Sequence, residues 1–278
     1  MIQQLADKRV FINHGPTQMV IDVYVEDVRT PEIGVIVAEH VVQQLQELAI
    51  YMPQLREMRT CSKVDKSLPE VLNKMIVAVE KSGYNELNTL GAVAGSFSDI
   101  ALEYALKLGA TRVIINNGGD IALTDNTKKS IKVGIPLNND INNGQLILNI
   151  TDDMNVHGIC TSGIGGRSFT KGIATSAVIL AENAATADAC ATYIANMTNV
   201  DDENITRCLA EEIDSGTDIP GQMVTLKVGQ ISERNKYKAL NNGLSAAEDL
   251  YKKGIIRGAI ICIGNDIVKC PDDLNLNV

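Results

Sequence analysis

Apolar and polar positions alternate in RVFINH and QMVIDVYV, on either side of GPT, and this pattern predicts a β-hairpin at the start of the chain. The period then changes. From Ile33 to Ala49 the apolar residues Val37, Val41, Leu45 and Leu48 recur on one helical face. SLPEVLNKMIVAVEKSG predicts a second helix, with Ser67 and Glu70 as a capping box, Pro69 near the first turn and Gly83 as the stop. Its buried stripe is Val71, Leu72, Met75, Ile76 and Val79.

In TLGAVAGSFSDIALEYALKLGA, small residues from Gly91 to Ser96 lead into a helix carrying Ile100, Ala101, Tyr104 and Leu108, and Gly109 ends it. TRVIIN and IALT read as strands around Asn117, Gly118, Gly119 and Asp120. SIKVGIPL and QLILNI read as two more strands, joined by an Asn-rich loop. After HGICTSGIGGRSFTKG come a β-branched segment, IATSAVIL, and a small-residue helix, NAATADACATYIANM. The end alternates again: strand MVTLKV, a helix around Ala239 to Lys253, and strand IIRGAIICIG. Strand pairs mixed with single helices predict an α+β layered domain rather than a parallel βαβ series.

The 278 residues are enough for one large domain or two small, intertwined ones. A formal net charge of -9, with no dense Lys/Arg cluster, argues against nucleic-acid binding. No apolar run of about 18 residues predicts a membrane span. MIQQLADKRV has neither the basic start nor the apolar core of a secretory signal, so a cytoplasmic protein is expected. The six cysteines form no CxxC pair, which argues against zinc or iron–sulfur ligation and fits reduced thiols. Exposed sheet edges, often covered by a second copy, suggest a homodimer.

Four stretches could carry chemistry. In ATADACAT, Asp188 and Thr192 are four apart, so a helix puts both oxygens on one face. A carboxylate with a hydroxyl suits Mg²⁺, which keeps waters and binds substrate phosphates. The same residues would also be found in a tightly packed Ala-rich helix with an acid near its positive end. In CTSGIGGRSFTKG, Gly163, Gly165 and Gly166 permit close backbone approach, and Thr161, Ser162 and Ser168 add hydroxyls. Arg167 could grip a carboxylate or phosphate with two hydrogen bonds, and Lys171 adds charge. A plain surface loop would look the same. NNGGD is a strong turn signal, but turn chemistry at Asn117-Gly118 does not by itself require Gly119 and Asp120. Finally, Cys160 near His157 could be an activated nucleophile or a small buried thiol.

Taken in order, GAVAGSFSD, INNGGDI, CTSG, GGRSFTKGIA and ADACAT resemble the motif series of the ApbE-like superfamily, and within it the uncharacterised (UPF) branch. LPEVLNKMIVAVEKSG before them and AAEDLYKKGIIRGAIICIG after them extend the resemblance over nearly the whole chain. It implies a T-fold-related layering of antiparallel sheets with packed helices and an internal pseudo-duplication. Characterised members are flavin transferases that cleave FAD with Mg²⁺ and attach FMN to a Ser or Thr of a target protein. The resemblance would make Asp188 and Thr192 metal-binding residues, with Asp188 catalytic. It would set Asn117, Gly118, Gly119 and Asp120 beside a nucleotide. In the same reading Thr161, Gly165, Gly166, Arg167 and Ser168 hold the anion, and Cys160, Ser162 or a bound water is the nucleophile. Gly95 stands where the transferases carry Lys, and RSFTKGIAT replaces their H.IDP.TG segment. Two other readings stay open: a hydrolase of a small cyclic acid or amide, and a ligand-binding accessory protein without catalysis.

Overall fold

The computed structural model describes residues 1–57, 64–136, 145–166 and 168–274. The strands are β1 (Ile2–Gln4), β2 (Val10–His14), β3 (Thr17–Val25), β4 (Val28–Arg29), β5 (Arg112–Asn117), β6 (Asp120–Asp125), β7 (Ile131–Pro136), β8 (Gln145–Ile150), β9 (Gly158–Ser162), β10 (Ser176–Ala181), β11 (Ile205–Leu209), β12 (Met223–Val228), β13 (Ile256–Ile263) and β14 (Asp266–Cys270). The α-helices are α1 (Pro31–Ala49), α2 (Met52–Glu57), α3 (Glu70–Ser82), α4 (Val93–Lys107), α5 (Ala184–Met197), α6 (Ala210–Ile213) and α7 (Glu233–Lys252). This is an α+β fold. The chain divides into two compact units, each built from three segments.

The first unit comprises Met1–Ile131, Ile150–Cys160 and Ala181–Ala189. Its strands run in the order β1-β2-β3-β5-β6-β9, with β4 folded back on β3. The pairs from β1 to β9 are antiparallel. The predicted hairpin forms with a tighter turn: His14 pairs with Thr17, so only Gly15 and Pro16 are outside the ladder. Val10 and Ile12 of β2, with Met19, Ile21 and Val23 of β3, turn one face into the core.

Helix α1 starts at Pro31, whose fixed φ and missing N–H suit the first turn. Its buried face is Gly34, Val37, Ala38, Val41, Gln44 and Leu48, and Leu45 is half-exposed instead of lying on that face. Helix α3 buries the predicted stripe and ends at Gly83 in the left-handed conformation. Its capping box does not form. Ser67 donates from its amide and hydroxyl to Asp65 Oδ1, at 2.8 and 2.9 Å, and Pro69 takes the N-cap position. A closer acceptor thus wins the Ser67 side chain.

Helix α4 is the central helix of this unit and contacts α1, α3, β5 and β6. Residues 95–102 are all buried, so the amphipathic pattern is lost over this stretch. Leu108, expected on the buried stripe, caps the helix at the surface, and Tyr104 stacks on His40 at 4.0 Å between ring centroids.

The second unit comprises Lys132–Asn149, Thr161–Leu180 and Cys190–Val278. β10, β13 and β14 are successive neighbours, β7 pairs with β8, and β11 pairs with β12 across a register shift at Thr206/Arg207. Helix α7 begins at Glu233, six residues before the apolar pattern, because Ser232 caps it by accepting from Asn235 N at 3.2 Å. Polar first turns carried by a cap leave no period to read. No described helix is long and apolar enough to cross a membrane.

Candidate functional site

The site lies in the first unit and is built on the first turns of two helices. Helix α4 leaves the amides of Ala94 and Gly95 without intrahelical partners, as any helix start does. Asp188, in the second turn of α5, accepts from Gly95 N at 2.9 Å and also from Ala94 N. Helix α5 in turn offers the amides of Ala184 and Ala185. Asp99 of α4 accepts both at 2.8 Å, one on each carboxylate oxygen. Each helix therefore caps the other.

Glycines allow this close approach. A Cβ on Gly95 would run into the Ala184 carbonyl and come within 2.8 Å of Asp188 Cβ. A Cβ on Gly158 would run into the Asn183 carbonyl and the Ala184 amide. The departure at Gly95 noted in the sequence thus has a local reason: no side chain fits there.

The turn NNGGD is a two-residue hairpin turn. Asn117 pairs with Asp120, and Gly118 and Gly119 have φ of 69° and 113°. A turn with positive φ at both central positions requires the second glycine. Asn117 Nδ2 donates to the Ala94 carbonyl at 3.2 Å, and Ser98 Oγ donates to the Asp120 carbonyl at 2.9 Å. These bonds fasten the turn to α4, and the Asp120 side chain stands beside Cys160 and Asp188.

Carboxylates dominate the electrostatics. Burial raises Asp188 well above the usual carboxylate range, and the Asp120 charge adds to this against the Gly95 and Ala94 amides. Burial brings Asp99 up to about 6, opposed by the Ala185 and Ala184 amides and by Lys74. Lys74 is itself 2.7 Å from Glu103.

Cys160 is fully buried at the end of this cluster, and its thiol donates to the Ala184 carbonyl at 3.2 Å. Burial and the charges of Asp120, Asp188 and Asp99 hold it well above its ordinary value. This environment stabilises the thiol and opposes the thiolate a nucleophile needs. His157 does not pair with it; Nδ1 of His157 is 3.2 Å from the Leu123 carbonyl.

Other expected residues lie in the second unit. Ser162 is buried in β9, Thr161 and Ser168 are exposed, and Arg167 lies outside the described residues. The amides of the glycine loop bond within the protein. Ile164 N donates to the Ala174 carbonyl at 2.9 Å, Gly165 N to Thr175 at 3.1 Å and Gly166 N to Gly163 at 3.0 Å, so these amides are spent within the protein. Thr192 is half-buried, one turn beyond Asp188 in α5.

Sequence reasoning missed Ser98 and Asp99 as site residues. They close the GAVAGSFSD motif, but nothing local marks a helix-interior acid as the cap of a helix 85 residues away. Among the described residues, no group of three or more His, Cys, Asp or Glu could hold a metal ion. Mg²⁺ needs less: one or two carboxylates, with water and substrate oxygens completing the shell. The oxygen-only donors Asp188 and Asp120, each raising the cost of the other's charge, fit such an ion.

The chain belongs to the family described as AbpE bacteria, whose model matches residues 2–269. A "UPF0280 protein" of Methanococcus vannielii is 34% identical over 178 residues, covering 61% of this chain and 70% of that protein. One of Methanospirillum hungatei is 33% identical over 151 residues, covering 54% of this chain and 58% of that one. The matches thus span about six-tenths and seven-tenths of the length of these two curated relatives. Among solved structures, an ApbE protein of Thermotoga maritima aligns over 98% of this chain and 97% of its own, with a TM-score of 0.55 at 13% identity. A flavinyl transferase ApbE of Pseudomonas stutzeri aligns over 92% and 91%, with a TM-score of 0.52 at 11% identity. These likenesses show the shared fold.

Proposed function

We propose that this chain is an ApbE-like enzyme acting on a nucleotide-like anionic ligand, with a flavin dinucleotide as its first candidate substrate and Mg²⁺ as its metal. The observation that carries the reading is the pair Asp120 and Asp188, close enough for their charges to oppose each other, with Asp120 directly after the glycine turn Gly118–Gly119. The neighbouring solved structures described as flavin transferases support the choice of flavin.

In this reading Asp188 and Asp120 hold the ion, and the Thr192 hydroxyl, one turn along α5, assists. Bound there, Mg²⁺ would neutralise phosphate charge. The turn is exposed at Gly118 and half-buried at Gly119, which gives a ligand access to the backbone there, while Asn117 is buried beneath it. An oxygen nucleophile, water or an acceptor hydroxyl, bonds to the FMN phosphorus. The phosphoanhydride P–O bond breaks, AMP leaves with that bond's electron pair, and the nucleophile's proton passes to solvent water. Ser162 is the hydroxyl candidate of this chain. An oxygen nucleophile is preferred to Cys160, because burial and the neighbouring carboxylates disfavour its thiolate. Thr161, Gly165, Gly166, Arg167 and Ser168 remain candidate ligand contacts through side chains and carbonyls, rather than through the loop's three spent amides. We place the protein in the cytoplasm as a homodimer.

A ligand-binding protein without catalysis is the second reading. The closed Cys160 and the self-satisfied glycine loop favour it. The cyclic acid or amide hydrolase rests on Arg167 as an anchor.

The test is incubation of the purified protein with FAD and Mg²⁺, with AMP and FMN followed by mass spectrometry and Asp188→Ala as control. Cleavage that needs Asp188 supports the proposal. A folded protein that binds FAD without cleaving it favours the second reading. A folded protein that neither binds nor cleaves FAD rejects the flavin assignment.

A further inference from the structure

Ser98 and Asp99 are consecutive and buried, yet they reach two different elements. Ser98 Oγ donates to the carbonyl of Asp120, at the start of β6. Asp99 accepts the first two amides of α5, one turn before Asp188. Two neighbouring residues of one helix thus fasten the backbone at or near both Asp120 and Asp188.

A plain structural cap would look different. Helix α5 already has a local one: Asn183 Oδ1 accepts from Thr186 N at 2.8 Å. A neutral Ser or Asn can cap a helix without the desolvation that a buried carboxylate suffers. Asp188 also returns the bond, from α5 to the Gly95 amide of α4. Loosening either cap should therefore be felt at the other.

We propose that Ser98 and Asp99 are the positioning residues of this site, setting the separation and orientation of the Asp120 and Asp188 carboxylates without touching the ligand. The inference rests on Asp120 and Asp188 being the working pair, but its test needs no turnover.

The reporter is the Gly95 amide, followed by NMR in the full-length chain. The Gly95 N–H bonds to Asp188, and no Asp99 side-chain bond reaches its peptide group; Ser98 Oγ does reach that group, donating to the Ala94 carbonyl at 3.2 Å, so Gly95 reports on Asp99 and a second reporter is needed for Ser98. In Asp99→Asn the Gly95 proton should change its shift and lose about tenfold in exchange protection relative to the α3 amides, as expected for a lost cap. In Ser98→Ala, a milder change that leaves both α5 bonds in place, the side-chain carboxyl resonance of Asp188, which Ser98 does not touch, should move. Asp188→Asn should expose Ala184 and Ala185 in return. If folded Asp99→Asn alters Ala184 and Ala185 alone, Asp99 is only a cap and its positioning role is overturned. If Asp99→Asn does not fold, Asp188→Asn decides: unchanged Ala184 and Ala185 amides reject the coupling. An Asp188 carboxyl resonance that stays at its wild-type value in Ser98→Ala removes Ser98 from the proposal. Where FAD cleavage is seen, positioning predicts a fall in kcat of about tenfold with little change in KM. A Gly95 response without FAD cleavage would leave this inference standing and remove the functional reading. Cleavage without the response would do the reverse.

Discussion

Asp99 and Asp188 lie on different helices, and each satisfies the helix start of the other: Asp99 through Ala184 and Ala185, Asp188 through Ala94 and Gly95. The exchange joins the chain near residue 95 to the chain near residue 185. It also places two acids where their charges oppose each other, a cost that the backbone donors partly offset.

Asp99 should leave a signature in the pH dependence of stability. Its folded value is about 6 and its ordinary value 3.8, so folding takes up a proton between them. The resulting contribution is fully present below the ordinary value and is lost as pH rises through about 6. In chelator, the unfolding free energy of wild type relative to Asp99→Asn should rise as pH falls from about 7 to about 5, towards a limit of about 3 kcal/mol. Denaturant melts across this range measure it; a pH-independent difference would show that Asp99 stays ionised throughout.

Gly95 should tolerate no side chain. Gly95→Ala drives a methyl group against the Ala184 carbonyl and Asp188 Cβ, and α4 and α5 must part. The expected loss is about 1–3 kcal/mol. Gly15→Ala, where a Cβ meets nothing within 4 Å and only the positive φ of 56° is strained, should cost less. Thermal unfolding of the two variants compares them directly.

The cysteines should react in the order set by burial. Cys160 is fully buried and held protonated, whereas Cys208 is partly exposed. Brief alkylation at mildly alkaline pH should label Cys208 well before Cys160, with Cys160 reacting only on unfolding. Peptide mass mapping reads the order. Rapid labelling of Cys160 in the native state would reopen its candidacy as a nucleophile.

Thr198 should anchor the glycine loop of the second unit. Its hydroxyl accepts from Ile173 N and Ala174 N, each at 2.9 Å, and donates to Ala195 O at 2.6 Å. Thr198→Val leaves two buried amides unpaired, at a cost of about 2 kcal/mol or more. Because Ile164 N bonds to the Ala174 carbonyl, hydrogen exchange at Ile164 and Gly165 should rise with it.

The sequence by itself determined what depends on local period and local chemistry. The β2–β3 hairpin, the buried stripe of α3, the Gly83 stop and the α+β class follow from alternation, helical spacing and the freedom of glycine at positive φ. The NNGGD turn was legible in the same way, as were the motifs that point to the family. Short, polar or cap-started elements were not. β1, β4, β11, β14 and the start of α7 carry too few apolar repeats to stand out from loop sequence. The tertiary structure alone decided which acids meet. Asp188 could be singled out on its own helix, but Asp99 looked like one more residue in a buried stretch. Hydrogen bonds between two helix starts bring them into one site, and no pattern within either helix encodes that distance. Tertiary contacts also bear on two candidates: burial and neighbouring carboxylates favour the protonated form of Cys160, and the amides of Ile164, Gly165 and Gly166 already donate within the protein.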